Sequence, residues 1–427
     1  MRIQTDVEAA IARRITTVLF ATTSLHSTAM VAIFTVTSII AVRLTGSDAS
    51  AGVPTTVLAL GRAAGAYPVG WLMDRLGRRI GLSAGLLTAT VGAATGALAV
   101  LQDSFWLLLG GAFFIGMSRS AVEQTRYIAA EVQPAGRRAK AIGLIVFSGA
   151  VGSLASRLVM ELNARLTAAT GIANMAGPWL MAIVFMGLGL LLNQALLRPD
   201  PLQIGRRLVA RTSEQRKRAV WKVRPMRQIF RRPNVLLAAA VMALAQLSMM
   251  VVMVVTPLHM DYEGFSTLSI SNALMLHTLG MFAFAALTGW LINWLGRVPV
   301  IWMGAAVLAG AGLVGFAAGT LLSIYAAVFL LGLGWNLCHI AGSALLSDEL
   351  ISQERGRVQG ITEVVVGVTV AVGSLASGSI YGGYGYTGAN AAVLCIVAVL
   401  ALAVFVARWA EARGATIAPE LGGAPPG

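Results

Sequence analysis

Apolar runs of about 18 to 25 residues recur along the whole sequence, each long enough to cross about 30 Å of hydrocarbon at 1.5 Å per residue. Hydropathy predicts helices over 15–41, 51–73, 80–100, 105–130, 140–163 and 175–197, then 235–260, 268–292, 298–319, 321–347, 358–382 and 387–411. Six runs, a basic connection and six further runs therefore organise the chain. Only 12% of the 427 residues are charged, against roughly 25% in a soluble domain, too few to coat a water-exposed surface of this size. The expected fold is an all-α polytopic membrane protein of twelve transmembrane helices in two pseudo-symmetric six-helix bundles. The bundles cover 1–197 and 235–412, with a linker over 198–234 and a disordered tail over 413–427.

The formal charge of +14 raises the question of a nucleic-acid partner, and the placement of the basic residues decides it. They fall in short connections between apolar runs. With the N-terminus inside, alternate connections carry Arg13, Arg14, Arg75, Arg78, Arg79, Arg137, Arg138, Lys140, Arg297, Arg355, Arg357, Arg408 and Arg413. The linker adds twelve more between Arg198 and Arg232. The opposite connections hold Arg43 and Arg165 with Asp48, Asp103, Asp261 and Glu263. This asymmetry predicts a cytoplasmic (inner) membrane location with both termini in the cytoplasm. It also predicts a linker lying on anionic lipid headgroups, with no nucleic acid involved. Met1–Arg14 lead into a run too long for a signal-peptide core, so that run reads as the first helix. Cys338 and Cys395 both lie inside apolar segments, which argues against a disulfide framework.

An internal repeat supports the halving. GWLMDRLGRR at Gly70–Arg79 recurs as GWLINWLGRV at Gly289–Val298, and GSLAS occurs at Gly152–Ser156 and Gly373–Ser377. Both recurrences share an offset of about 220 residues, which chance rarely gives twice. Gly70, Asp74, Arg75, Gly77, Arg78 and Arg79 match GxxxDRxGRR between the second and third helices. In that position the motif resembles the signature of the major facilitator family, and the resemblance covers essentially the whole chain. It implies a two-bundle transporter, expected to be a monomer, with a central cavity open to alternate sides. The glycines are expected to let helix ends approach closely, and Asp74 with the arginines to form gate ion pairs. In the second copy Asn293 and Trp294 replace the acid and the first arginine, so that gate contact is expected to be weaker.

Two constellations of side chains fall on the helices that this resemblance places around the cavity. The first is thioether and imidazole. Met249 and Met253 on helix seven, and His277 and Met281 on helix eight, are spaced i, i+4 and share a face within each helix. A short turn near Gly264 brings Met253 and His277 to similar depth. His26 and Met30 on helix one repeat the pattern, and helix ten offers Cys338 beside His339. Thioether sulfur prefers Cu(I), imidazole also accepts Cu(II), and no carboxylate cluster suited to magnesium accompanies them. Methionine also packs adaptably in any apolar helix, and about 0.7 MxxxM pairs arise by chance against about 0.2 HxxxM pairs, so the histidines carry the signal. MxxxM followed by HxxxM in the next helix is similar to the signature of the CcoA-type copper importers, a branch of the same family. That likeness implies copper as transported substrate, with no resident cofactor, on Met249, Met253, His277 and Met281. Related branches imply riboflavin or another small organic solute instead, for which Trp335, Asn336, Gln246 and Asn272 would line the cavity.

The second constellation is charge. Arg119, Glu123 and Arg126 are expected on one face of helix four, with Arg62 in helix two, Arg157 in helix five and Glu363 in helix eleven. Ionisable groups at membrane depth are costly and mark functional candidates. Glu123 or Glu363 could relay a proton, or the set could be an ion-pair network, which an arginine three residues from Glu123 favours by holding the carboxylate ionised. Asp348, Glu349 and Glu354 after helix ten mirror Glu131 after helix four, again as gate pairing. No Walker loop follows a strand, and no Ser, His and carboxylate grouping emerges, so the chain is expected not to be an enzyme and to run on ion or substrate gradients.

Overall fold

The computed structural model describes residues 2–134, 137–170, 175–205, 224–350 and 352–417. These residues form α1 (Arg2–Thr45), α2 (Val53–Arg75), α3 (Arg78–Leu101), α4 (Phe105–Val122), α5 (Thr125–Glu131), α6 (Arg138–Thr170) and α7 (Gly177–Leu196) in the first half. The second half holds α8 (Met226–Ile229), α9 (Pro233–Met253), α10 (Thr256–Tyr262), α11 (Thr267–Phe282), α12 (Ala285–Leu295), α13 (Arg297–Phe316), α14 (Leu321–Asp348) and α15 (Ser352–Ile417). Ten helical segments are long and apolar enough to cross a membrane, three of them made of helix pairs: α4 with α5, α9 with α10, and α11 with α12. One segment, Val358–Ala410, has 53 residues, about 80 Å at 1.5 Å each and far longer than one crossing needs. It folds back at Gly385, whose φ of 62° and ψ of −162° leave the helical region. With α2, whose run is diluted by Arg62, Asp74 and Arg75, the described residues give twelve membrane crossings.

The helix limits follow from local chemistry. Neither Gly nor Pro occurs before Gly46, so α1 runs on from Thr45 back to Arg2, well beyond the expected start at 15. It stops where Gly46 takes φ 70°. At the other end of the bundle, Gly77 and Gly296 adopt φ 103° and 92° in the two copies of the repeat, a region that costs L-residues about 1–2 kcal/mol. The helix of α15 reaches Ile417, so it enters the expected tail; residues 418–427 and, within the linker, 206–223 lie outside the described residues.

Within the first half, α4 packs on α2 and α3, and α1 on α6 and α7; within the second, α9 packs on α14 and α15, and α13 on α14. Small residues make the close approaches. A Cβ on Gly116 of α4 would strike the Leu58 carbonyl of α2, and one on Gly92 of α3 would crowd Ile115 and Gly111. Where lipid removes most of the hydrophobic drive between helices, this backbone proximity supplies the van der Waals contact.

The halves meet through α6 with α11, α2 with α15, α1 with α10 and α11, and the turn Asp48–Gly52 with α15. These contacts gather toward the end of the bundle away from the Gly77 and Gly296 turns. There Arg43 pairs with Asp261 at 3.1 Å, the Tyr262 hydroxyl donates to Asp48 at 2.6 Å, and Gly52 lies directly against the Ser374 carbonyl. Thr56 donates to the Ala371 carbonyl at 3.2 Å. At the basic end, every described ion pair stays inside one half. Arg78 binds Asp74 at 2.8 Å and Glu131 at 2.6 Å, and Arg297, its repeat partner, binds Asp348 at 2.7 Å. Arg232 binds Glu349 at 2.7 Å. The Arg224 Nε donates to the buried Glu354 at 2.8 Å, and this bond raises the Arg224 pKa above its ordinary value. Among the described residues, the Arg43–Asp261 pair and the hydrogen bonds of Tyr262 and Thr56, which join the halves, thus lie away from the basic turns.

The signature is therefore built differently from the expectation in one respect. A Cβ at Gly70 would meet nothing within 4 Å. Gly77 is the glycine that a close approach requires: a Cβ there would strike the Asp200 carboxylate, which accepts from the backbone N–H groups of Arg78 and Arg79 at 3.1 Å each. Asp200 thus caps α3, satisfying two of its free N–H groups and complementing the positive end of the helix dipole.

Candidate functional site

The charge constellation is spread over α2, α4, α5, α6 and α15. Arg119 Nε donates to Glu123 Oε1 at 3.0 Å, and Arg62 of α2 approaches Glu123 Oε2 at 2.8 Å. The same Arg62 lies 3.6 Å from Glu363 of α15, in the other half. Glu123 is thus held by two arginines, and the network spans the halves. Arg126 is not part of it. The expected common face of Arg119, Glu123 and Arg126 is broken because the helix is interrupted between Val122 and Thr125, which separates α4 from α5. Arg126 instead lays its guanidinium over the Tyr127 ring, 4.8 Å from the centroid, and its Nε is buried without a hydrogen-bond partner among the described residues. Arg157 pairs with Glu161 at 3.3 Å, one turn along α6.

The second half supplies an aromatic cluster. Trp335 of α14 stacks on His339, centroids 4.4 Å apart and planes within 14°. Its indole N–H donates to Gln246 of α9 at 2.9 Å, and Phe282 of α11 meets it edge-on at 6.3 Å. His339 Nδ1 is buried without a hydrogen-bond partner among the described residues.

The thioether and imidazole residues are distributed over several seams. Met249 and Met253 are buried in the second-half core. His277 is buried too, and its Nδ1 lies 2.9 Å from the Val328 carbonyl of α14. Met281 packs against the same core. α9 and α11 each pack along α14, so the two sequence pairs lie on helices that share a third neighbour. His26, in the first half, faces Ser118 at 3.5 Å, and Met30 is buried in a first-half cluster. Cys338 turns away from His339: its thiol approaches the Ile301 carbonyl of α13 at 3.8 Å. Among the described residues, no three His, Cys, Asp or Glu side chains converge as a metal site. Of the polar residues named for an organic solute, Asn336 is buried and accepts from Thr288 at 2.5 Å, while Asn272 keeps an unpartnered Oδ1.

The model of the Major Facilitator Superfamily matches residues 18–350 and 239–425. This chain belongs to that superfamily. An uncharacterized MFS-type transporter of Bacillus subtilis (strain 168), YdeG, is 30% identical over 354 residues, covering 82% of each chain. The riboflavin transporter RfnT of Brucella anthropi is 25% identical over 397 residues, 92% of this chain and 95% of that one. Among solved structures, a bacterial homolog of the human lysosomal transporter Spinster in an inward-facing, unoccupied conformation aligns with a TM-score of 0.69. It shares 15% identity and covers 93% of this chain and 97% of its own. A D-xylose–proton symporter aligns with a TM-score of 0.68 at 16% identity, covering 91% and 96%. The superfamily member described here is thus a multi-pass membrane protein of a transporter class, not of an enzyme class, and the arrangement of its two halves suits movement of a solute by secondary transport.

Proposed function

We propose that this superfamily member moves a small planar organic solute across the cytoplasmic membrane by alternating access, with its termini and its open mouth on the cytoplasmic side. The observation that carries this reading is the Trp335–His339 stack, 4.4 Å between centroids and pinned by the bond from the indole N–H to Gln246. A preorganised aromatic plane offers a flat solute stacking of about 0.5–1.5 kcal/mol beyond apolar burial, without fresh side-chain ordering. The similarity to a riboflavin transporter over 92% of the chain agrees with a heteroaromatic substrate. The excess of Arg and Lys in the connections at the open end supports the orientation.

Copper as substrate draws less support. One ring nitrogen of His277 faces a backbone carbonyl, and Cys338 points into a helix seam, so each is accounted for by packing. The test is uptake into proteoliposomes of labelled riboflavin, alone and against unlabelled planar heteroaromatics at excess. Accumulation, or its suppression by a member of the set, is expected in wild type and is expected to fall at least tenfold in Trp335→Leu. Equal uptake by empty and loaded vesicles for every member would overturn the reading.

A further inference from the structure

The end of the bundle away from the basic turns holds a histidine behind a layer of tyrosines. His259, in the last turn of α10, stacks on Tyr386 of α15 with centroids 4.2 Å apart and planes within 10°. The Tyr381 hydroxyl lies 3.4 Å from its Nδ1. Both tyrosines are buried, and the Tyr386 hydroxyl is bonded to that of Thr256 at 3.2 Å. The other half presses on this layer. A Cβ on Gly378 would strike the Asp48 and Ala49 carbonyls, and one on Gly382 would meet the Asp48 side chain at 3.4 Å. The Asp48–Gly52 turn therefore sits on the stretch of α15 that carries Tyr381. Tyr262, whose ring lies 6.3 Å from that of Tyr381, donates to Asp48 from the same layer. His259 is thus one layer behind the seam between the halves.

Imidazole is the side chain whose charge changes near neutral pH, and what surrounds it decides which state of the protein accepts that charge. α10 packs on α1, α9 and α11. α1 brings Arg43, which Asp261 holds. α9 carries no charged side chain, and the one titratable residue of α11 is His277, bonded to Val328. The turn brings Asp48, held by Tyr262, and α15 brings the hydroxyls of Tyr381 and Tyr386. Glu263, four residues on, acts on the ring from beyond ion-pair distance. Among the described residues, no carboxylate pairs with His259. Tyrosine faces attract a cation but do not replace its hydration shell. Resting on the reading of alternating access, we infer that His259 is a proton-binding site that governs opening of this end. Parting of the Asp48 turn from α15 admits water to the imidazole, which takes a proton from the outer side; closure returns that proton to the same water. Because the parted form binds the proton better, acid on the outer side shifts the population toward it.

The test is electron–electron resonance on the full chain in nanodiscs, with Cys338 and Cys395 replaced by Ala. Labels go at Gln102 and Leu322, exposed positions at the end of α3 and the start of α14 on this side. Between about pH 8 and pH 5.5, the long-distance population of the otherwise wild-type chain is expected to rise about fivefold or more, the lower end of allosteric coupling. His259→Gln, which fills the same place without titrating, is expected to stay at the pH 8 level throughout. His259→Lys is expected to show the long distance already at pH 8. Tyr381→Phe leaves residue 259 intact and removes the hydroxyl beside Nδ1; it is expected to displace the midpoint of the response, which keeps the test open if the His259 variants do not fold. A wild-type population that ignores pH, an equal response in His259→Gln, or an unmoved midpoint in Tyr381→Phe overturns the proton site and leaves alternating access standing. One and the same distance in every variant at every pH overturns both.

Discussion

Arg62 of the first half stands 3.6 Å from Glu363 of the second, while its shorter contact, 2.8 Å, is to Glu123 in its own half. It lies six residues along α2 from Thr56, whose bond to Ala371 belongs to the closed end, so the pair marks the depth to which the halves remain in touch. Both side chains are partly exposed, 29% and 46%, which limits such a pair to about 1 kcal/mol. In Glu363→Gln, the population with a wider mouth should therefore rise no more than about fivefold. Electron–electron resonance between labels at Leu76 and Leu295, with Cys338 and Cys395 replaced by Ala, measures this. A collapse to short distances would contradict it.

The far end is held by Arg43–Asp261 and by Tyr262 on Asp48. Removing both, in Asp261→Asn with Tyr262→Phe, should loosen that seal by about 1–2 kcal/mol in all. Labelling of Ser374→Cys by a membrane-impermeant maleimide should then speed up several-fold. An unchanged rate would show that backbone packing alone closes this end.

That packing has its own test. A side chain at Gly52 has no room beside the Ser374 carbonyl, whereas the alternate state separates these segments. Gly52→Val should reach the membrane at normal levels yet lose transport by an order of magnitude or more, with Ser374→Cys becoming permanently reactive. Normal transport would refute the close approach.

At the basic end, Gly77→Ala forces an L-residue to φ 103° against the Asp200 carboxylate. A loss of at least about 1–2 kcal/mol is expected, read as a lower thermal transition in detergent. Asp200→Asn should cost about 1 kcal/mol through the weakened cap of α3. If Asp200→Asn proved as stable as wild type, the cap would be incidental.

Much of this architecture is legible in the sequence because lipid imposes a length on each crossing and the repeat fixes the halving; Gly70–Arg79 and Gly289–Val298 fall at equivalent turns. What escapes is whatever depends on helix breaks and on partners distant in sequence. The interruption after Val122 removes Arg126 from the face of Glu123, and neither residue is Gly or Pro, so no local signal announces it. Asp200 as a cap, and Asp261 as partner to Arg43, are long-range pairings; only the acid in Arg-Pro-Asp-Pro beside a basic linker hints at the first. The i, i+4 spacing of His277 and Met281 is real, but spacing cannot tell whether a face looks into a cavity or onto α14.

The central claim, an aromatic path rather than a thioether–imidazole one, is tested most directly by uptake into proteoliposomes of labelled riboflavin and of copper-64 by wild type, Trp335→Leu, Met253→Ala and His277→Ala at matched reconstitution. Riboflavin uptake that falls at least tenfold in Trp335→Leu and by less than threefold in Met253→Ala, with copper at the empty-vesicle level throughout, is the predicted result. Copper uptake that collapses in both Met253→Ala and His277→Ala, with riboflavin not accumulated, would contradict it.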